Sequence, residues 1–264
     1  MRTALVTGAS AGVGRELVRQ LVRQRGMTVL ATARRRERLE QLAAELPEGR
    51  VLVESGDLAD ADFRARLWER AEALPGGLDV LINNAALGHY AAFVDEDFAT
   101  IRQIVEINVM ALFDLTQRAA RHMTARRAGQ IVQVSSILGF IGLPYSATYV
   151  ATKHAVNGLV KSLRYELRGT GVRVWAACPG RFESEFHAVA LRRPNDAPPI
   201  RSTYAEPAER VARGIIRGLD RRATFIFPTR LARLIISATG WLPRPYEWFM
   251  DRWGRERFRR EMEA

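Results

Sequence analysis

The chain has 264 residues, of which 47% are hydrophobic and 26% charged, an ordinary balance for a soluble globular protein. Its single cysteine, Cys178, excludes an internal disulfide framework and fits a reducing compartment, and no apolar run approaches the ~18 residues of a membrane-spanning helix. The net charge of +11 suggests nucleic acid as a partner, but the arginines are scattered along the whole chain and no basic stripe contains interleaved aromatic residues, so we expect no nucleic-acid binding.

Short apolar runs alternate with segments of helical periodicity along most of the chain. Seven strands are predicted, at Ala4–Thr7, Thr28–Thr32, Val51–Glu54, Val80–Asn83, Gln130–Val134, Val172–Ala177 and Thr224–Phe227. The segments between them repeat apolar residues at helical spacing. Because continuous apolar strands are typical of sheets that are covered on both faces, this alternation predicts an α/β fold with a parallel, doubly wound sheet.

A glycine-rich turn, TGASAGVG at Thr7–Gly14, follows the first strand and opens a helix. Gly8, Gly12 and Gly14 lack a Cβ atom, so the backbone can approach a ligand closely. The N–H groups of the helix N-terminus would then bind a pyrophosphate. The alternative is a tight strand–helix turn with incidental glycines, because a lone glycine motif is weak evidence.

Three consecutive arginines follow the second strand. Dinucleotide-binding folds that use NAD carry an acidic residue here, which binds the ribose 2′-hydroxyl, whereas this chain has Ala33 followed by Arg34, Arg35 and Arg36. A guanidinium binds a 2′-phosphate through paired hydrogen bonds, and three arginines are unfavourable at a helix N-terminus, where the helix dipole prefers anions. The sequence therefore favours NADP(H) over NAD(H). The alternative is that an arginine-rich chain carries arginines at most helix starts.

Two serines, Ser135 and Ser136, end the fifth predicted strand. Polar groups at the carboxyl end of a parallel strand face the crevice in which ligands bind. A hydroxyl there could donate a hydrogen bond to a substrate oxygen as that oxygen gains negative charge. The alternative is that the serines merely begin a loop.

A lysine stands four residues after a tyrosine in YVATK, although the chain has 38 arginines and only two lysines. Tyr149 and Lys153 share one face of a predicted helix. The ammonium would lower the pKa of the phenol from its usual value of ~10, and lysine's compact head can also reach a ribose hydroxyl, as arginine's broad fork cannot. The alternative is a surface tyrosine beside a solvated lysine. Lys161, for which we predict no role, weakens the argument from rarity.

Together these segments resemble the classical short-chain dehydrogenase/reductase family over roughly residues 2–227. The matching motifs are TGASAGVG, NNAA at Asn83–Ala86, INV with Asn108, VSS ending at Ser136, YVATK, and CPG at Cys178–Gly180. The resemblance implies one Rossmann-type domain at residues 1–228, with a seven-stranded parallel sheet and helices on both faces, which binds the dinucleotide and catalyses the reaction. Residues 229–264 would form a C-terminal amphipathic helical extension of the same domain.

The resemblance also implies a role for each matching residue. Tyr149 would be the general acid that protonates a carbonyl oxygen, or the base in the reverse direction, and Ser136 would orient that oxygen. Lys153 would lower the tyrosine pKa and bind the nicotinamide ribose. Asn108, in the long fourth helix, would hold a water molecule that links Lys153 to solvent. The implied reaction is hydride transfer between a nicotinamide and a carbonyl carbon, for which no metal is needed; the four histidines share no metal-ligand spacing.

The implied cofactor site extends over several loops. It comprises Gly8, Ser10, Gly12, Val13, Gly14, Arg34, Arg35, Asp57, Leu58, Asn84, Ala85, Tyr149, Lys153, Pro179, Gly180, Phe182 and Ser184. Two positions depart from the family pattern. Ala86 replaces the glycine of the commoner NNAG, which adds a methyl group beside the cofactor. Ala11 stands where many NADP(H)-binding members carry a basic residue, which leaves Arg34 and Arg35 to hold the 2′-phosphate.

The substrate pocket is expected between residues 136–144, the loop after Gly180 and the C-terminal segment. Their apolar residues, with the phenylalanines of RFESEF, fit a lipid-like, steroid-like or aromatic carbonyl compound or alcohol, although most pockets are largely apolar. Tryptophan, phenylalanine and leucine beside arginine in the C-terminal segment are typical of a segment that lies at a membrane interface. Packing of that segment on its own domain or on a partner subunit is an equal alternative.

The resemblance suggests a homodimer or homotetramer that associates through its fourth and fifth helices. We expect a cytoplasmic protein. If the C-terminal segment binds a membrane, it would associate the protein with the membrane surface. The rival to an enzyme is a regulatory protein that binds NADP(H) without turnover. The set of Asn108, Ser136, Tyr149 and Lys153 disfavours that rival, because a sensor needs no proton relay.

Overall fold

A computed structural model of the chain describes residues 2–182, 205–241 and 243–262. Its sheet consists of β1 (Thr3–Thr7), β2 (Thr28–Ala33), β3 (Val51–Ser55), β4 (Val80–Asn83), β5 (Gly129–Val134), β6 (Val172–Ala177) and β7 (Phe225–Ile226). All neighbouring strands are parallel, in the order β3-β2-β1-β4-β5-β6-β7. The predicted seven-stranded parallel sheet is therefore confirmed. Strand β7 is shorter than we predicted because only two residues pair at this edge of the sheet.

Nine α-helices occur in the part of the chain that the structure describes. They are α1 (Gly12–Arg25), α2 (Arg36–Ala44), α3 (Ala61–Glu72), α4 (Phe98–Val105), α5 (Leu112–Arg126), α6 (Ala147–Glu166), α7 (Ala208–Gly218), α8 (Arg230–Trp241) and α9 (Pro243–Met262). A π-helical turn, Glu106–Ala111, joins α4 to α5. The long fourth helix of the sequence prediction is thus one continuous helical rod with a widened turn, which carries Asn108.

Helices cover both faces of the sheet. On one face α1, α2 and α7 pack through residues such as Leu17, Leu39 and Ile215, and on the other α3, α5 and α6 pack through Leu67, Leu115 and Val160. Each central strand contributes to both layers, since alternate residues of a strand point to opposite faces. This is why these strands are continuously apolar, as the sequence analysis assumed.

The strand order reverses direction between β1 and β4, so the helices that follow these two strands lie on opposite faces of the sheet. In open α/β sheets a crevice opens at this switch point, beyond the carboxyl ends of the strands. The loops after β1, β2, β4, β5 and β6 all reach this edge. The fold therefore brings together the segments that carry the predicted site residues.

Helices α8 and α9 follow the last strand. Ala232 on α8 is buried, and the Tyr246 hydroxyl on α9 donates a hydrogen bond of 2.9 Å to the carbonyl of Gly142, so both helices pack on the α/β unit. The boundary after residue 228 stays a prediction. Among the described residues, no helix is long and apolar enough to cross a membrane.

We expect Gly14→Ala to destabilise the protein by about 1–3 kcal/mol, the usual cost of an overpacked site. A Cβ atom at Gly14 would lie 2.2 Å from the carbonyl oxygen of Gly8, which is backbone and cannot move aside without distorting the turn. The matched control is Gly158→Ala on the exposed face of α6, where a Cβ atom would meet nothing within 4 Å. This control should gain about 0.5–1 kcal/mol from helix propensity. Chemical denaturation of the two variants measures both effects; equal changes would contradict the packing argument.

Candidate active site

A cavity of about 580 Å³ opens along the carboxyl edge of the sheet. It is lined by all the predicted cofactor-binding residues that lie in the described part of the chain, and by Ser136. Ser184, one of the predicted cofactor residues, and Phe186, the second phenylalanine of RFESEF, lie outside the described residues. Asn108 is described but does not line the cavity. The cavity therefore joins segments that are far apart in sequence, from Gly8 to Met250.

The turn between β1 and α1 forms one wall of this cavity. Gly8 and Gly12 have φ angles of 68° and 52°, in the left-handed region that favours glycine. The N-cap residue of α1 is Ala11, whose side chain cannot cap the helix. The first N–H groups of α1 therefore face the cavity without a side-chain acceptor. Uncapped donors at a helix N-terminus fit the pyrophosphate of a dinucleotide, so the chain is suited to the cofactor that the sequence predicted.

Hydrogen bonds between the ends of β1 and β4 fix the floor of the cavity. The Thr7 hydroxyl accepts from the backbone N–H groups of Asn84 and Ala85, both at 3.0 Å. The Asn84 side-chain amide donates to the carbonyl oxygens of Thr7, at 2.9 Å, and Gly8, at 3.3 Å. Sequence analysis placed Asn84 beside the cofactor. It missed Thr7, whose hydroxyl is used only once two strands distant in sequence lie side by side.

The arginines after β2 divide into two groups. Arg34 and Arg35 line the cavity, and Arg35 Nη2 donates to the Ser10 hydroxyl at 3.1 Å. Arg36 instead pairs with Glu40 one turn along α2, at 2.7 Å. Two guanidinium groups therefore stand at the cavity edge beside the pyrophosphate-binding turn, while the third arginine stabilises its own helix.

Ser136 and Tyr149 lie together on the opposite wall. Their hydroxyls are hydrogen-bonded to each other, and the Ser136 hydroxyl also accepts from the backbone N–H of Leu138 at 3.1 Å. Because that N–H already uses an acceptor site of the serine oxygen, the serine proton is free to point to the phenol or to a ligand. The 3₁₀ turn Ile137–Gly139 after β5 thus sets the orientation of Ser136.

Lys153 is buried beneath this wall, with 2% of its surface exposed. Its Nζ atom donates to the carbonyl oxygen of Val134 at 3.0 Å and lies 5.4 Å from the centre of the Tyr149 ring. Burial lowers the pKa of Lys153 to about 8. The lysine is therefore still largely protonated at neutral pH, without a carboxylate partner in these contacts.

The expected lowering of the Tyr149 pKa is not found in this arrangement. Burial raises the pKa of Tyr149 above its usual value, the nearby Tyr90 adds to that rise, and the hydrogen bond from Ser136 opposes it. The physical reason is that burial removes the water that would stabilise the charged phenolate, and this cost outweighs the hydrogen bond from Ser136. The Lys153 ammonium is also directed to Val134 rather than to the phenol oxygen.

Asn108 makes different contacts from those predicted. Its side chain accepts from the backbone N–H of Leu87 at 2.8 Å and donates to the Leu87 carbonyl at 2.9 Å and to the Thr152 hydroxyl at 3.2 Å. Thr152 in turn donates to the Tyr149 carbonyl at 2.7 Å. Asn108 therefore ties the loop after β4 to helix α6, without a direct contact with Lys153. The water-mediated link to Lys153 stays a prediction.

Several polar contacts beside the cavity were not predicted from the sequence. Ser135 donates to Asn157 at 2.7 Å, and the Asn157 amide donates to the Gly139 carbonyl at 2.8 Å. The side chains of Glu96 and His89 are buried together, and His89 Nδ1 lies 2.9 Å from Glu96 Oε1. The Thr148 hydroxyl donates a hydrogen bond of 2.5 Å to Glu96 Oε2. These bonds hold the loops after β4 and β5 against α6 beside Tyr149. A sequence offers no signal for them, since the partners lie on different elements.

The far end of the cavity is apolar. Ile141 and Leu143 line it from the loop after β5, and Ile235, Tyr246 and Met250 line it from α8 and α9. Gly254 on α9 lies close to Pro144, since a Cβ atom there would meet the proline ring at 3.2 Å. The sequence prediction that residues 136–144 and the C-terminal segment frame this end agrees with the lining. Among the described residues, no cluster of His, Cys, Asp and Glu could hold a metal ion.

Comparisons with known proteins agree with this architecture. A family model described as short chain dehydrogenase matches residues 2–194. An uncharacterised oxidoreductase of Myxococcus xanthus is 36% identical over 241 residues, which cover 89% of this chain and 92% of that protein. A short-chain dehydrogenase of Sphingobium yanoikuyae, solved with NADPH, has a TM-score of 0.79 at 26% identity, covering 92% of this chain and 96% of its own. The bulky-bulky ketone specific alcohol dehydrogenase of Comamonas testosteroni has a TM-score of 0.75 at 26% identity, covering 92% and 94%.

We expect Lys153→Met to stabilise the protein at pH 7 and to lose most of that advantage by pH 9.5. The unfolded chain holds the lysine proton up to about pH 10.5, whereas the folded protein holds it only to about 8. Folding therefore releases a proton between these values, and the stability of the parent rises with pH across this window. The advantage of the variant should shrink by about 2 kcal/mol between pH 7 and 9.5, on the 1.36 kcal/mol scale of one pKa unit.

Urea denaturation of both proteins at the two pH values measures this difference directly. Lys161→Met is the control, because Lys161 is exposed on the same helix. A pH-independent difference between Lys153→Met and the parent would contradict the buried, readily deprotonated lysine.

Proposed function

Since the chain belongs to the short-chain dehydrogenase/reductase family of oxidoreductases, we propose that it interconverts a hydrophobic ketone or aldehyde and its alcohol with NADP(H). The observation that carries the proposal is the convergence of Ser136, Tyr149 and Lys153 on one wall of a cavity whose opposite wall is the uncapped start of α1. The phenol of Tyr149 and the glycine-rich turn therefore line the same cavity of 580 Å³, as the transfer of a proton and a hydride to one carbonyl group requires.

Each catalytic side chain has a separate task in this proposal. The nicotinamide, when bound, supplies a hydride for reduction or accepts one in oxidation. In the direction of reduction, Ser136 donates a hydrogen bond to the carbonyl oxygen, and Tyr149 transfers its phenolic proton to that oxygen as the carbon gains the hydride. The phenolate that remains recovers a proton from solvent, so the reaction adds one hydride and one proton to the carbonyl compound.

The raised pKa of Tyr149 makes this proton transfer less favourable. A phenol that holds its proton firmly is a weak acid, so it needs positive charge nearby at the moment of transfer. Protonated Lys153, 5.4 Å from the ring centre, is the group that supplies it. We infer that a ligand which draws the Lys153 ammonium away from the Val134 carbonyl and nearer to the phenol oxygen completes the site.

The preference for NADP(H) rests on the two cavity arginines. Arg34 is exposed at the rim, and Arg35 Nη2 donates to the Ser10 hydroxyl, so both guanidinium groups lie beside the glycine-rich turn. The second-strand position that would carry an acidic residue in an NAD-binding protein is Ala33, which also lines the cavity. The NADPH-bound relative supports this choice only as a related protein at 26% identity.

An apolar substrate is supported by the far end of the cavity. Isoleucine, leucine, methionine and a tyrosine ring surround it, and the Tyr246 hydroxyl is occupied by the Gly142 carbonyl. Few polar groups therefore remain there to replace the water around a charged or highly hydroxylated substrate. A bulky, largely apolar carbonyl compound fits, in keeping with the ketone-reducing relative.

No observation favours the alternative of a regulatory protein that binds NADP(H) without turnover.

Contact of α8 and α9 with a membrane surface stays a prediction, although Leu234, Trp248 and Phe249 are exposed on these helices. Association into a dimer or tetramer through the fourth and fifth predicted helices also stays a prediction. In the structure these are the rod formed by α4, the π-helical turn and α5, and helix α6, on which Phe98, Met110 and Tyr165 are exposed.

We expect Tyr149→Phe to lower kcat by about 10²–10⁴-fold, the usual contribution of a general acid, and to leave the Kd for NADPH within about threefold of the parent. Steady-state rates with a panel of aryl and long-chain ketones, followed by the absorbance of NADPH, measure the first effect. Fluorescence titration measures the second. Tyr165→Phe, an exposed tyrosine on the same helix, is the control and should match the parent. Full activity of Tyr149→Phe would contradict the mechanism, and an inactive parent that still binds NADPH would favour the regulatory reading.

We expect the double variant Arg34→Ala with Arg35→Ala to raise the Kd for NADPH about 10–100-fold and to change the Kd for NADH less than about threefold. The reason is that a charge-assisted hydrogen bond contributes about 1.5–3 kcal/mol and only NADPH has the 2′-phosphate. Arg36→Ala is the matched control from the same helix start, because Arg36 pairs with Glu40. Equal losses for both nucleotides would contradict the proposed preference for NADP(H).

A further inference from the structure

Arg64 on α3 is a buried charge that the proposed reaction does not use. It has 8% of its surface exposed, and its guanidinium lies between the loop after β3 and the rod formed by α4, the π-helical turn and α5. Arginine is rarely buried unless its donors are satisfied. The partners of Arg64 therefore indicate what it holds in place.

One side of the guanidinium binds the loop after β3. Its Nη1 atom donates to the backbone carbonyl of Leu58 at 2.6 Å and to that of Ala59 at 3.2 Å. The loop itself is a tight turn in which the Asp57 carboxylate accepts from the backbone N–H of Ala59 at 2.9 Å. Asp57 and Leu58 line the cavity and belong to the predicted cofactor site, and Asp57 stands where the family resemblance implies a contact with the adenine. The shape of that turn thus depends on a donor from outside it.

The other side of the guanidinium binds two carboxylates on the neighbouring rod. Nη1 donates to Glu106 and Nε to Asp114, both at 2.9 Å. Burial acts to raise the pKa of Asp114, but the hydrogen bonds from Arg118 and Arg64 outweigh it and leave that pKa below its usual value. The ion pair between Arg64 and Asp114 is therefore formed at neutral pH.

Glu106 is the first residue of the π-helical turn, two residues before Asn108. Asn108 in turn holds the backbone of Leu87 and the Thr152 hydroxyl beside Tyr149. One side chain therefore connects the adenine end of the cavity with the turn that supports its catalytic wall.

We propose that Arg64 is a positioning residue that holds the turn at Asp57 and Leu58 in the shape that receives the adenine and anchors that turn to the π-helical segment. It contacts neither substrate nor nicotinamide. The proposal rests on the proposed placement of the nucleotide in this cavity. It predicts that the loss of Arg64 weakens binding of the adenine half of the cofactor specifically, beyond any general loss of stability.

The test compares Arg64→Met with Arg118→Met. The first keeps a long apolar stem and removes every donor, including those to the Leu58 and Ala59 carbonyls. The second removes a comparable ion pair with Asp114, at 2.5 Å, and leaves the turn untouched. Fluorescence titration with NADPH and competition with 2′-phospho-ADP-ribose, which lacks the nicotinamide, give the affinity of the adenine half without any turnover.

We expect Arg64→Met to weaken both ligands about tenfold, with the KM for the carbonyl substrate within about twofold of the parent. Arg118→Met should bind both ligands as the parent does, even if the two variants melt at similar temperatures. Arg64→Lys, which can satisfy either the carbonyls or a carboxylate, should recover part of the affinity; it also serves as the test variant should Arg64→Met fail to fold.

Equal affinities of the parent and the Arg64 variants for 2′-phospho-ADP-ribose would overturn the proposal while the proposed function stands. An equal loss in Arg118→Met would also overturn it, since that loss would reflect general destabilisation. A parent that binds neither NADPH nor NADH would overturn the inference and the proposed function together.

Discussion

The hydrogen bonds that join the ends of β1 and β4 are the constraint on which the rest of the site depends. The strand order reverses here, so the chain leaves β1 towards one face of the sheet and β4 towards the other. Asn84 donates to the hydroxyl and to the carbonyl oxygen of Thr7 across this gap, which keeps the two strand ends in contact. The crevice above them stays open because neither loop can cross it. The uncapped helix start, the two arginines and the catalytic wall all face this crevice.

The electrostatics of the catalytic wall follow from burial. Both the phenol of Tyr149 and the ammonium of Lys153 are shifted towards their neutral forms, the first to a higher pKa and the second to a lower one. The protonation of these two groups responds strongly to a charge introduced nearby, because a buried site of low dielectric constant screens charges only weakly. A site of this kind is prepared for proton transfer that begins only when ligands fill the cavity.

The sequence predicted what is encoded locally. Continuous apolar runs predicted the seven strands to within about two residues at each end, and the glycines of TGASAGVG and the Ser136–Tyr149–Lys153 spacing predicted residues that the structure places around one cavity. Contacts between distant elements were not predictable in the same way. Nothing in INV shows that the helix widens into a π turn at Asn108, and nothing in the ARRRE segment separates Arg36, which pairs with Glu40, from its two neighbours. The sequence does not distinguish Arg64 from the other 37 arginines. Its contacts with two backbone carbonyls and two carboxylates are evident only in the folded structure.

The contrast between Arg64 and Lys153 explains why this arginine-rich chain keeps a lysine at its centre. Arg64 has acceptors on two sides, and a planar fork with five N–H donors can serve them all. At Lys153 the described contacts provide one backbone acceptor, the Val134 carbonyl. A guanidinium there would leave several donors buried without partners, each at a cost of about 1–3 kcal/mol, and it could not release its proton at any accessible pH. An ammonium needs fewer partners, and its pKa falls to about 8 under burial alone. The position therefore requires a cation whose N–H donors can remain partly without acceptors until a ligand binds. Of lysine and arginine, only lysine tolerates this at neutral pH.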